Sequence, residues 1–185
     1  IADRGGIRSQ FHYVTDIAPT ILEAAGLPQP TMVNGIQQRP MEGASLIYTF
    51  GQAQAPTTHR IQYFEIGGNR GVYHDGWFAG TVHRAPWEPQ PRADLANDVW
   101  ELYHVTEDFS QANNLASSNP EKLKELQALF LAEAAKYQVL PIDDRSVERM
   151  DPSVAGRPDL MGGRTSLTLY PGAVAMAENA FINLK

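Results

Sequence analysis

The 185-residue sequence has no cysteine, which excludes disulfide frameworks and thiolate metal sites. No apolar run approaches the roughly 20 residues of a membrane-crossing helix, so no membrane span is expected. Basic residues are scarce: 15 Lys and Arg against 21 Asp and Glu leave a formal net charge of −6, the wrong sign for a nucleic-acid face. No nucleic-acid partner is expected. There is no His-x-x-x-His, no Gly-x-Ser-x-Gly elbow, and neither Gly67-Gly68 nor Gly162-Gly163 has the pattern of a phosphate loop. The sequence does not begin with Met but with Ile1-Ala2-Asp3-Arg4-Gly5-Gly6, so it is expected to be part of a longer protein whose compartment this stretch leaves open. Hydrophobic residues make up 43% of the chain, enough for a packed core.

The pattern predicts a helix over about 16–25. Thr15 or Asp16 can cap it, Pro19 fits its first turn, Ile17, Ile21, Leu22 and Ala25 share a face, and Gly26 ends it. Residues 27–59 read as irregular, broken by a short helical turn at Met41–Leu46. A strand meander follows. Ile61–Ile66 and Arg70–His74 are separated by Gly67-Gly68-Asn69, and Asp75-Gly76 is a two-residue hairpin signal before Trp77–Val82. After a proline-rich loop over 84–98, Val99–Val105 reads as a fourth strand. Asn119-Pro120-Glu121 opens a helix over 120–137, with Leu123, Leu126, Phe130, Ala134 and Tyr137 on one stripe. Further strands are expected at Thr165–Tyr170 and around Ala180–Ile182.

Candidate chemistry is thin. His12, His59, His74, His83 and His104 stand at no known ligand spacing. His74-Asp75 is explained by a hairpin turn. The acidic pairs Asp143-Asp144 and Glu107-Asp108 lie in turn-like contexts, where solvated turn residues are the simpler reading. From the residues alone this is an α+β domain with no assigned reaction.

Four segments in order give a more specific reading. Phe11-His12-Tyr13-Val14-Thr15-Asp16-Ile17-Ala18-Pro19-Thr20-Ile21-Leu22-Glu23-Ala24-Ala25-Gly26 resembles the "HVTDIAPTLLELAG" segment of formylglycine-dependent, arylsulfatase-like sulfatases of the alkaline phosphatase superfamily. Gly71-Val72-Tyr73-His74-Asp75-Gly76-Trp77-Phe78 resembles their "RAIRDGDWK" hairpin, and Trp100–Asp108 resembles "WELYDLDEDP". Asn113-Asn114-Leu115-Ala116 with Pro120-Glu121-Lys122-Leu123 resembles "TNLAAENPEKL".

The resemblance implies a sulfatase C-terminal portion. Residues 1–59 would end the large catalytic domain and connect it onward. Residues 60–137 would form a C-terminal subdomain, a small four-stranded antiparallel sheet packed against a long helix, and 138–185 an irregular extension. The parent would hydrolyse sulfate esters with formylglycine and a divalent cation, calcium. This chain lacks the C/S-x-P-S-R motif that carries formylglycine; its nearest string, Ser118-Asn119-Pro120-Glu121-Lys122, has neither the second Ser nor the Arg. Gly5-Gly6-Ile7-Arg8 resembles the family's "EGGIR" without its Glu. No catalytic residue, metal ligand or cofactor is therefore expected within the chain, and its role would be to buttress the active-site domain and line the substrate cleft. His83 and Arg84, at the end of the third strand, are the expected substrate-rim contacts, in a loop that also carries Trp87 and Arg92. The alternatives are the C-terminal part of a phosphonate or phosphodiester hydrolase, and a stand-alone interaction module.

Overall fold

Alternation of apolar and polar residues from Ile61 to His104 produces the sheet on which the rest is built. The computed structural model describes residues 4–145 together with Gly163, Thr165, Ser166 and Thr168. In chain order the elements are a 3-10 turn Val14–Asp16, α1 Ile17–Ala24, β1 Met32–Val33, β2 Ile36–Gln37, α2 Tyr48–Gly51, β3 Ile61–Ile66, β4 Asn69–His74, β5 Trp77–Thr81, a 3-10 turn Leu95–Asn97, β6 Glu101–His104 and α3 Pro120–Lys136. The strands β3 to β6 form an antiparallel meander in sequence order, an α+β arrangement with one long helix.

Register follows from the turns. Asp75 and Gly76 adopt φ of 46° and 88°, the left-handed pair that a two-residue hairpin needs, and His74 pairs with Trp77. With side chains alternating between faces, the row Tyr63, Val72, Ala79 and Leu102 points to one side. That face meets α3. Val72, Ala79 and Leu102 bury completely against Leu126, Phe130 and Ala134, with Tyr63 stacked on the Phe130 ring at 5.1 Å and Trp100 edge-on to it at 5.5 Å. The helix stripe therefore packs as its spacing implies, although Asn119, at the cap position, makes no side-chain cap bond. Asn114 finishes the sheet edge: its Oδ1 accepts from the N–H of Leu102 and of Ala116, while Leu115 N–H donates to the Leu102 carbonyl.

The opposite face carries Phe64, Tyr73 and Phe78. Gly71 and Gly80 face each other across β4 and β5, and a Cβ on Gly80 would lie 2.8 Å from the Phe78 ring. The two glycines make room for that ring to lie flat on the sheet.

Three expectations change. The helical turn expected at Met41–Leu46 lies at Tyr48–Gly51, because Gly43 runs against the 3-10 turn so closely that a Cβ there would sit 2.1 Å from the Thr15 carbonyl oxygen. The segment read as irregular contains the β1–β2 hairpin, turned by Asn34-Gly35. The apolar face expected of α1 is not covered among the described residues: Ile17 is 53% and Ile21 62% exposed. The strand expected over 165–170, apart from Thr165, Ser166 and Thr168, and the one around Ala180–Ile182 lie outside the described residues.

Candidate functional site

Asp16 is the most constrained polar residue. It is fully buried, yet its carboxylate is satisfied. The N–H of Tyr13 donates to Oδ2 at 2.9 Å and that of Ala44 to Oδ1 at 2.8 Å. His59 Nδ1 lies 2.8 Å from both carboxylate oxygens, and His12 Nδ1 is 3.4 Å from Oδ2. The capping role expected for Asp16 is therefore corrected. Its side chain makes no cap bond to α1 but reaches back to Tyr13 and across to two distant segments. Burial pushes its carboxyl upward; the Tyr13 and Ala44 N–H donors and His59 outweigh it and hold it below the ordinary 3.8. His12 is held below 6.5, chiefly by burial and against the pull of Asp16.

A second network surrounds His83. The ring expected at the substrate rim has no exposed surface. Its Nδ1 lies 2.9 Å from Asp98 Oδ2 and its Nε2 3.2 Å from Asp144 Oδ2. Arg70 pairs with the same Asp98 and donates to the Leu95 carbonyl at 3.0 Å. Asn69 grips the backbone beside it, accepting from the N–H of His83 and of Arg84 and donating to the Arg84 carbonyl. His83 thus ties the 82–98 loop to the segment after α3, leaving Arg84 half-buried and Trp87 82% exposed beyond it. Arg92 pairs with Glu88. Sequence spacing alone could not show the Asp98 and Asp144 partners, 15 and 61 residues away.

The third feature is a groove of about 830 Å³ on the aromatic face of the sheet, lined by Phe11, His12, Phe64, Tyr73, Phe78 and Phe109 among others. Residues 8–13 form its edge: the Phe11 ring stacks on Tyr73 at 3.6 Å and Tyr13 meets Phe64 edge-on at 5.3 Å. Apolar walls and large rings suit a packed apolar partner surface or a flat ligand.

Among the described residues no three His, Asp or Glu side chains are placed to hold a metal ion, and the buried carboxylate of Asp16 is already taken up by N–H donors. Among the described residues no side-chain set fits the calcium ion that the sulfatase resemblance implies. Among the described residues no helix is long and apolar enough to cross a membrane.

No family model matches the chain. Among solved structures it is similar to BT4656 in complex with its substrate D-glucosamine-2-N,6-O-disulfate, with 20% identity and a TM-score of 0.47 over 71% of this chain and 25% of that one. It is also similar to BT33336S-sulf, from work on metabolism of multiple glycosaminoglycans by Bacteroides thetaiotaomicron, with 20% identity and a TM-score of 0.42 over 63% of this chain and 24% of that one. A third is Ps i-CgsB, with 15% identity and a TM-score of 0.48 over 82% of this chain and 30% of that one. The chain thus spans 24% to 30% of the length of these solved chains.

Proposed function

We propose that this chain is the C-terminal part of a sulfuric ester hydrolase of the arylsulfatase-like type, serving as the buttress of its active-site domain. The observation that carries the reading is the placement of the four sulfatase-like segments. They fall on α1 with its buried Asp16, on the β4–β5 hairpin, on β6, and on Asn114 with α3, and three of these four make up one packed sheet-and-helix unit. Motif residues therefore do structural work: Asp16 joins segments, Asp75-Gly76 turns the hairpin and Asn114 closes the sheet edge.

The buttress reading takes support from two uncovered apolar surfaces. Residues 8–13, assigned to the end of the large domain, already lie on the aromatic sheet face, and the groove beside them continues that contact. The exposed Ile17 and Ile21 on α1 offer a second surface for the same domain. In the intact protein formylglycine and calcium, supplied from outside this chain, would provide the nucleophile and neutralise the sulfate oxygens. This chain's contribution would be positional. Arg84 would reach the substrate rim, and His83 would hold the loop that carries it.

The test is the coding sequence upstream of Ile1. A C/S-x-P-S-R motif there supports the reading. A Thr or unmodified Ser nucleophile would replace it with a phosphodiester or phosphonate hydrolase, and no upstream catalytic domain would replace it with an interaction module.

A further inference from the structure

The Asp16 cluster joins three stretches that no strand ladder connects. Residues 8–16 reach the 43–57 segment through side chains: Arg8 Nε donates to the Thr49 carbonyl at 2.9 Å, and Gln10 Nε2 to the carbonyls of Ala53 and Ala55. Asp16 adds Ala44 from that segment and His59 from the approach to β3. The carboxylate faces two imidazoles, and both ring nitrogens of His12 are buried without a hydrogen bond. A proton arriving on His12 would place a cation on ring nitrogens buried without a hydrogen bond, where the cost of burial outweighs the pull of the Asp16 carboxylate 3.4 Å away. A proton on Asp16 would weaken the acceptor shared by three segments and turn one of its two oxygens into a donor.

We propose that the Asp16–His12–His59 cluster is an acid-released latch, holding residues 8–16 and 43–49 against the start of β3 at neutral pH and freeing them, ahead of the sheet and α3, on acidification. The direction follows from linkage. His12 and Asp16 both titrate below their ordinary values in the folded chain, so these two groups together bind fewer protons when the cluster is closed than when it is released. Its stability is complete above 6.5, falls as the pH drops through the folded His12 value, and falls again below 3.8 as Asp16 is protonated. The neighbouring charges do not reverse this. Arg8 donates to the Thr49 carbonyl, Arg60 keeps its charge throughout, and the Arg60 hydrogen bond keeps Asp75 ionised below the ordinary carboxylate value. Glu42 is turned outward to Lys136 and Tyr137, and the Tyr48 ring lies 6.2 Å from that of His12. The inference is independent of the sulfatase reading.

Amide hydrogen exchange of the whole 185-residue chain, followed by mass spectrometry from about pH 7.5 to about pH 4 and corrected for intrinsic rates, tests it. Peptides covering 8–26 and 43–59 should lose protection as the pH falls below 6.5, while those covering β4, β5 and α3 keep theirs. His12→Gln should flatten that step, and His12→Phe, a second neutral replacement, guards against a folding defect of the first. Loss of protection in all segments together, or an unchanged step in both variants, would overturn the latch.

Discussion

At the scale of single residues, buried side chains with several partners carry the predictions. Asp16→Ala removes the acceptor for two backbone N–H groups and His59, all within a buried site. Each buried donor left without a partner costs about 1–3 kcal/mol, so the variant should lose about 3 kcal/mol or more in denaturant unfolding, well beyond the loss of a simple helix cap. His83→Ala should lower the melting temperature of the chain by unfastening the 82–98 loop from Asp98 and Asp144. In the intact enzyme Arg84→Ala should raise KM and spare kcat, as expected of a group that binds ground and transition states alike. Unchanged constants for Arg84→Ala across aryl and carbohydrate sulfates would remove it from recognition.

At the scale of elements, the aromatic sheet face depends on the two facing glycines. Gly80→Ala would place a methyl 2.8 Å from the Phe78 ring and 3.3 Å from the Arg70 carbonyl oxygen. The ring can shift but the backbone cannot, so the variant should lose about 1–3 kcal/mol, partly recovered when Phe78→Leu is added. A double-mutant cycle in urea checks this; additive losses would mean that the ring is not the obstacle.

Elements were legible in the sequence where period and punctuation agreed. β3 runs from Ile61 to Ile66 as its composition implies, and α3 begins at Pro120 where Asn-Pro-Glu places it. The β1–β2 hairpin had its own signal in Asn34-Gly35, but with two-residue strands there was too little alternation to notice. The helical turn was displaced because propensity around Met41–Leu46 yields to a long-range demand, the approach of Ala44 N–H to Asp16. Both polar networks were illegible for the same reason. His59 and Asp16 are 43 residues apart and His83 and Asp144 are 61 apart, and pairing over such separations has no spacing rule. What sequence offered for Asp16 was a local role, and tertiary contacts replaced it.

At the scale of the whole molecule, the chain is a sheet with one face filled by its own helix and the other left aromatic and grooved. The helix-covered face holds the buried core, the other face carries the groove beside Phe11, and Ile17 and Ile21 on α1 stay exposed. The most direct measurement is turnover of 4-nitrophenyl sulfate and bis(4-nitrophenyl) phosphate, with calcium present, by the full-length protein that contains this chain and by the 185-residue chain alone. The account predicts sulfate ester hydrolysis by the full-length protein, with the phosphodiester slower, and no turnover by the chain above a denatured control. Turnover by the isolated chain, or a full-length protein that hydrolyses only the phosphodiester, would contradict it.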